Sequence, residues 1–206
     1  MDHLIEGYRR FRAHTWARER GRYEALAARG QRPRALVVAC SDSRADPQTI
    51  FDAAPGELFV VRNVANLVPP YLPDSAYHGT SAALEFGIRA LGIPDVIIIG
   101  HAMCGGIRAL LEGAPEETPN FVKTWVSIAD PARRTVKQMP ESARQEACEH
   151  AAIRLSLANL GTFPWIRDAV AAGRLRLNGF YFDIRTGILM RLDADGAFAP
   201  VSATEG

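Results

Sequence analysis

The sequence predicts an α/β fold with a mainly parallel central sheet flanked by helices. Three apolar runs rich in β-branched residues are too short for buried helices, so we interpret them as interior strands. Helical segments alternate with these runs, and that alternation is typical of a parallel sheet covered on both faces. The three runs cover residues 35–39, 58–61 and 95–100.

The other elements follow from amphipathic spacing and from turn residues. Residues 3–28 carry aromatic and aliphatic side chains at helical spacing among many arginines, which predicts amphipathic helices ending at Gly30. Two antiparallel strands, at 174–184 and 188–192, are expected at an edge of the sheet around a turn. Further helices are predicted over residues 46–53, 75–91, 107–111, 121–128, 141–160 and 163–172, with a polar connection at 114–119.

The chain is expected to form a single domain. Its 206 residues contain no repeat, low-complexity tract or change in composition that would mark a boundary. We expect an N-terminal helical arm over 1–30, a zinc-binding α/β core over 31–194 and a loosely held tail over 195–206.

Composition excludes several classes of protein. The formal net charge of +1 gives no field that would attract nucleic acid or an acidic membrane surface. The longest apolar runs are far shorter than the roughly 20 residues of a spanning helix, and the N-terminus has no secretory signal pattern. Three cysteines are too few for a disulfide framework, so a reducing cytoplasm is the expected location.

Two predicted strand ends carry soft metal ligands. Cys40 follows the first strand, and His101 and Cys104 follow the third. Because the carboxyl ends of parallel strands face one crevice, these side chains are expected to meet. Two thiolates and one imidazole suit Zn²⁺, and three protein ligands leave one tetrahedral position open, as in catalytic zinc sites.

Taken singly, each of these residues has a simpler interpretation as a buried core side chain. The zinc interpretation gains weight from all three together, at matching strand ends and beside Gly105-Gly106, where the backbone permits close approach. Cys148 lies within a helical pattern and has no partner motif, so we interpret it as a core thiol.

Asp42 and Arg44 lie next to the expected metal. The carboxylate of Asp42 can either complete the zinc coordination or orient a zinc-bound water. A guanidinium that grips both carboxylate oxygens would keep Asp42 ionised and off the metal, which favours the second role. The alternative is a solvated surface pair worth about 0 to 1 kcal/mol.

These residues resemble the β-class carbonic anhydrases. Segments 56–66, 81–86 and 178–183 are also similar to that family, so the resemblance covers nearly the whole chain. It implies one Zn²⁺ per subunit and reversible hydration of CO₂ to bicarbonate and a proton by zinc-bound hydroxide. The motifs that carry it are Cys40-x-Asp42-x-Arg44 and His101-x-x-Cys104-Gly105-Gly106.

The resemblance also implies individual roles. Asp42 and Arg44 match the family's catalytic dyad, in which the carboxylate accepts a hydrogen bond from zinc-bound water or hydroxide. Gln31 matches a glutamine that donates to a substrate oxygen in the plant-like subgroup. The backbone amide of Gly105, at a helix N-terminus, is expected to stabilise the charge of bicarbonate. The apolar wall of the substrate pocket is expected at Phe59, Val64 and Phe86.

One subgroup of the family is regulated by bicarbonate at a non-catalytic pocket that uses a Trp, an Arg and a Tyr. The matching positions here are Val37, Arg62 and Phe182, so only the arginine is shared. We therefore expect no bicarbonate switch and an open site in which Arg44 holds Asp42 away from the zinc.

Family members are dimers or higher assemblies whose N-terminal helices embrace a neighbour and whose active sites lie at the subunit interface. The resemblance thus implies a homodimer or homotetramer in which the arm 1–30 packs on a partner subunit. Two other functions stay open: hydrolysis of CS₂ or COS at the same site, and a zinc-binding module without turnover. The Asp42–Arg44 pair argues against the module, since a structural site has no need of a water-orienting carboxylate.

Overall fold

The computed structural model describes residues 1–74, 76–118 and 120–202, and a single sheet lies at its centre. Its strands are β1 Ala35–Cys40, β2 Leu58–Asn63, β3 Asp95–His101, β4 Arg176–Asp183, β5 Ile188–Leu192 and β6 Phe198–Pro200. They lie in the order β2-β1-β3-β4-β5-β6. The first four pair in parallel, whereas β5 and β6 add to one edge in antiparallel fashion. This confirms the predicted fold class.

Helices connect and flank the strands. They are α1 Asp2–Arg10, α2 Trp16–Arg29, α3 Pro47–Ile50, α4 Gly79–Glu85, α5 Gly105–Glu112, α6 Val122–Val126, α7 Asp130–Thr135, α8 Glu141–Leu160 and α9 Pro164–Ala171. π-helical turns at Phe11–Thr15 and Phe86–Ala90 continue α1 and α4, and 3-10 turns occupy Val64–Asn66 and Ser127–Ala129. Among the described residues, no helix is long and apolar enough to cross a membrane.

Several predicted boundaries need correction. Asp46 caps α3 by accepting from the Thr49 N–H at 2.9 Å, but the helix ends at Ile50, before the left-handed turn at Asp52. The helix expected over 75–91 begins at Gly79, and Ser75 lies outside the described residues, as does Pro119 in the polar connection. The expected tail contains β6, which pairs with β5, while residues 203–206 lie outside the described part.

The two faces of the sheet differ in how well they are covered. Leu36 and Val38 of β1 face a large core beneath α4, α8 and α9 and are fully buried. The opposite face is centred on Val37 and Ala39, and much of it is only partly buried. Its half-buried side chains are Ile50, Phe51, Leu58, Val60, Ile97, Phe180, Phe182 and Leu189. This second face is therefore the one that leaves apolar side chains partly exposed to solvent.

The N-terminal arm, α1 through α2, makes little contact with the rest of its own chain. Neither helix contains a buried residue, and Leu4, Ile5 and Tyr8 are exposed. Its C-terminal end is anchored where Arg22 lies 3.6 Å from the Glu57 carboxylate.

The topology places a crevice between β1 and β3. From β1 the chain passes to β2 on one side, and β3 then pairs on the other side of β1. Such a switch point is where open α/β sheets bind their ligands, outside the carboxyl ends of the strands. Cys40 ends β1 and His101 ends β3 at this place.

Candidate metal centre

Three metal-ligating side chains meet at the switch point. The ligand atoms of Cys40, His101 and Cys104 all lie within 4.8 Å of one another, and the two Sγ atoms are 3.9 Å apart. Two sulfurs bound to tetrahedral zinc at about 2.3 Å would lie about 3.8 Å apart, so this spacing fits zinc without rearrangement. All three side chains are buried, which favours inner-sphere ligands over solvated groups.

His101 has the hydrogen bonding of a metal ligand. Its Nδ1 donates to the carbonyl oxygen of Ala102 at 2.9 Å, which fixes the tautomer that leaves a lone pair on Nε2. Nε2 is buried and has no hydrogen-bond partner among the described residues. An orphaned buried nitrogen beside two sulfurs is accounted for by a cation between them.

The surroundings of Cys40 and Cys104 change the pKa values of their thiols. The pKa of Cys40 is lowered to about 4, chiefly because a hydrogen bond from Cys104 stabilises its thiolate, while burial acts in the opposite direction. The pKa of Cys104 is raised because its thiol keeps the proton that it shares with Cys40. Cys104 is also the N-cap of α5, where the N–H groups of Gly106 and Ile107 favour its thiolate. Displacement of that one proton would leave two thiolates for a divalent ion.

Asp42 lies at the rim of the cluster and is held there by Arg44. Arg44 Nε donates to Oδ1 at 2.9 Å and Nη2 to Oδ2 at 2.8 Å, so the guanidinium grips both carboxylate oxygens. These hydrogen bonds lower the pKa of Asp42 well below its usual range and keep it ionised. Its Oδ2 lies 3.9 Å from His101 Nε2. The carboxylate thus faces the cluster but is restrained from joining it.

Arg62 fixes the loop that carries Asp42. It donates to the carbonyl oxygens of Cys40 at 2.9 Å and Asp42 at 2.7 Å, and it pairs with the Asp46 carboxylate at 3.0 Å. One guanidinium from β2 therefore holds the chain on both sides of Ser41. Through these bonds Arg62 clamps the loop that follows β1 and has a structural role.

Close packing brings α5 against the turn after β2. A Cβ atom at Gly106 would lie 2.6 Å from Val64 Cγ1 and 2.9 Å from the Ala65 Cβ. Ala65 itself has a left-handed φ of 65°, so this turn has little freedom to move away. The approach places Val64 and Gly105, two residues of the expected substrate pocket, beside the cluster.

We expect Gly106→Ala to lower the free energy of unfolding by about 1–3 kcal/mol, because the added methyl overpacks this contact. Gly105→Ala is the matched control, since a Cβ there meets nothing within 4 Å. Urea unfolding monitored by circular dichroism measures both. Equal stability of the two variants would contradict the close approach.

The other expected pocket residues lie far from the cluster within the chain. Phe59 pairs with Leu36, four residues before Cys40, which at about 3.3 Å per residue is roughly 13 Å along the strand. Phe86 lies against Phe59 with ring centroids 6.1 Å apart and is 51% exposed. Gln31 is exposed and precedes the amino end of β1. One chain thus brings Val64 and Gly105 to the cluster but not Gln31, Phe59 or Phe86.

Sequence reasoning missed the residues beneath the cluster. Glu149 of α8 is 3% exposed and accepts the backbone N–H of Cys104 at 2.9 Å. Gln145 and Tyr181 donate to the same carboxylate. A signal was available, because Glu149 shares a helical face with buried Ile153, and a carboxylate at a core position needs partners.

Comparisons with known proteins agree with this architecture. The profile described as carbonic anhydrase matches residues 35–189. "Beta carbonic anhydrase 3" of Arabidopsis thaliana is 34% identical, with 98% of this chain and 81% of that protein covered. "Carbonic anhydrase" of Pseudomonas aeruginosa is 37% identical over 96% of this chain and 89% of that protein.

Solved structures are similar as well. The β-carbonic anhydrase CcaA has a TM-score of 0.91 at 34% identity, with 98% of this chain and 99% of that chain covered. One of two tetrameric β-carbonic anhydrases from Sordaria macrospora has a TM-score of 0.82 at 26% identity, with 96% and 98% covered.

A mainly parallel α/β sheet with two thiols and one imidazole at its switch point defines a zinc-dependent α/β enzyme. The chain belongs to the carbonic anhydrase family, in its β class. Its reaction is the reversible hydration of CO₂ to bicarbonate, and its cofactor is zinc.

Proposed function

We propose that Cys40, His101 and Cys104 bind the catalytic zinc, one ion per chain, through Sγ, Nε2 and Sγ. The observation that carries this proposal is the convergence of the three ligand atoms within 4.8 Å around an unpartnered His101 Nε2. When bound by these residues, zinc would lower the pKa of water to about 7 and so would supply a hydroxide nucleophile near neutral pH. Three protein ligands would leave room at the ion for that oxygen.

Asp42 orients the nucleophile in this proposal. As an ionised carboxylate it can only accept hydrogen bonds, so it would accept one from the attacking oxygen and leave a lone pair of that oxygen facing CO₂. Arg44 keeps both carboxylate oxygens in place, and its Nη2 also donates to the carbonyl oxygen of Met103 at 3.3 Å. The N–H of Gly105, in the first turn of α5, is assigned to the negative oxygen of bicarbonate.

A partner subunit completes the pocket in this proposal. Gln31, Phe59 and Phe86 would act on the cluster of a neighbouring chain, where the amide donates to a substrate oxygen and the rings form the apolar wall. Support comes from the exposure of Phe86 and from the partly buried second face of the sheet. The arm through α2, with exposed Leu4 and Tyr8, offers the surface for a homodimer or homotetramer. The tetrameric relative from Sordaria macrospora is consistent with this.

Hydrolysis of CS₂ or COS at the same site and a zinc module without turnover are the competing assignments. The two-bond grip of Arg44 on Asp42 argues against the module, since a structural site has no need of a water-orienting carboxylate. The relatives named as carbonic anhydrases favour CO₂ over CS₂ or COS. The cytoplasmic location stays a prediction, consistent with three free cysteines.

Stopped-flow hydration of CO₂ by the zinc-loaded protein tests the proposal, with CS₂ and COS as comparison substrates. Asp42→Asn keeps the shape of the side chain but removes its charge, and we expect CO₂ hydration to fall about 10- to 100-fold with the zinc content unchanged. Wild-type activity in Asp42→Asn would contradict the orienting role. Turnover of CS₂ or COS without CO₂ hydration would favour the first competitor.

The pH profile is a separate prediction. Two thiolates donate more charge to zinc than three imidazoles do, so the bound water should ionise at higher pH. We therefore expect kcat/KM for CO₂ hydration to rise on the alkaline side of neutrality, measured in buffers of constant ionic strength. A profile that is highest below neutrality would contradict the two-thiolate site.

A further inference from the structure

A buried carboxylate lies directly beneath the metal loop. Glu149 Oε1 accepts the Cys104 backbone N–H at 2.9 Å and Gln145 Nε2 at 3.0 Å, and Oε2 accepts the Tyr181 hydroxyl at 2.9 Å. Among the described residues, no arginine, lysine or histidine forms an ion pair with Glu149. Three donors therefore satisfy a group that is costly to bury, and one of them belongs to a proposed zinc ligand.

The segment that Glu149 holds is a strained one. Between His101 and Cys104 the chain passes through Met103, whose φ of 57° is left-handed for a residue with a side chain. Such a conformation persists only where its surroundings determine it. The Glu149 bond fixes the peptide that follows Met103, and Gln145 Nε2 donates to the Cys104 carbonyl oxygen at 3.3 Å. Two side chains of α8 thus hold Cys104 by both of its backbone polar groups.

We propose that Glu149 is a positioning residue of the metal centre: by accepting the Cys104 N–H it sets the turn that aims Cys104 Sγ at Cys40 and His101. This inference rests on the proposed ligand role of Cys104. The Tyr181 hydroxyl of β4 donates to the other carboxylate oxygen, Oε2, which offsets the cost of burying the charge and leaves Oε1 to accept the Cys104 N–H. In this proposal the position of the accepting oxygen of Glu149 matters and its negative charge does not, so substitutions can test the two separately.

Two substitutions separate the reach of the side chain from its charge. Glu149→Gln loses the charge but retains an oxygen that can accept the Cys104 N–H, and its new NH₂ group can donate to the Tyr181 hydroxyl oxygen. Glu149→Asp retains the charge and withdraws the acceptor by one methylene. We expect Glu149→Asp to weaken zinc binding about 10- to 100-fold, and Glu149→Gln to stay within about threefold of wild type. Competition with a chromogenic chelator measures the affinity, and the thiolate-to-metal absorption of the Co²⁺-substituted protein should shift in Glu149→Asp alone.

Tyr181→Phe is the matched control, because it removes one buried hydrogen bond from the same carboxylate and leaves the bond to Cys104. It should lower the unfolding temperature but keep zinc affinity and the Co²⁺ spectrum close to wild type. Zinc affinity in Glu149→Asp equal to wild type, or a loss in Glu149→Gln, would overturn the proposal. If wild type itself shows no thiolate-to-cobalt absorption, the ligand assignment fails, a result distinct from a failure of the Glu149 role alone.

Discussion

Replacement of Cys40 by Ala is expected to leave the protein without stoichiometric zinc and to lower CO₂ hydration by about 10³-fold or more, equivalent to at least about 4 kcal/mol of transition-state stabilisation. The reason is that His101 and Cys104 alone form too few bonds to hold the ion, and the second thiolate is missing. Elemental analysis of the purified protein and stopped-flow kinetics measure the two effects.

Cys148→Ala is the matched control for this substitution. Cys148 is as deeply buried as Cys40 and packs in the same apolar cluster, yet it is not among the ligand atoms that converge. Burial raises the pKa of Cys148 to about 11, so its thiol stays protonated and is a poor ligand. The control should lose stability but retain one zinc per chain. Equal loss of zinc in both variants would show that packing, and not ligation, governs the metal content.

Substitution of Arg44 by Gln should lower CO₂ hydration about 10- to 100-fold at neutral pH while zinc stays bound. Without the guanidinium, the pKa of Asp42 returns toward its usual range and the carboxylate is free to turn. Its Oδ2 already lies 3.9 Å from His101 Nε2, so it can reach the metal and displace the reactive oxygen. Because hydroxide competes better at high pH, the lost activity should return in part on the alkaline side.

The chain contains a natural control for this experiment. Asp183 and Arg185 repeat the same local pattern, with Arg185 Nε donating to Oδ1 at 2.9 Å and Nη2 to Oδ2 at 3.2 Å. Among the described residues, this second pair forms no hydrogen bond or ion pair with Cys40, His101 or Cys104, so Arg185→Gln should leave hydration unchanged. Wild-type activity and an unchanged pH profile in Arg44→Gln would contradict the restraining role of Arg44.

The sequence was sufficient to predict the parallel strands and the three converging ligands. Short β-branched runs define β1 and β3, and the rule that parallel strands share a ligand-binding edge brings Cys40 close to His101. Helix ends were less predictable. The end of α3 at Ile50 depends on the left-handed turn at Asp52, and β6 depends on pairing with β5, a tertiary contact that local patterns do not report.

The surroundings of the site were harder to predict for the same reason. The helical face that Glu149 shares with Ile153 indicates that Glu149 is buried. Only the approach of α8 to the metal loop shows that it binds the backbone of Cys104. Likewise, the two-bond grip of Arg44 on Asp42 followed from their spacing, whereas the clamp of Arg62 spans two strands. Contacts within a few residues and the meeting of the strand ends were predictable, whereas the contacts made by α8 and by Arg62 were not.

Zinc K-edge X-ray absorption of the wild-type protein counts the metal ligands by element, so it decides whether two cysteines and one histidine hold the ion. We expect two sulfurs near 2.3 Å, one imidazole nitrogen near 2.1 Å and one further light atom from solvent around a single bound ion. A zinc shell with fewer than two sulfurs, or protein that holds no zinc after exhaustive dialysis, would contradict this expectation.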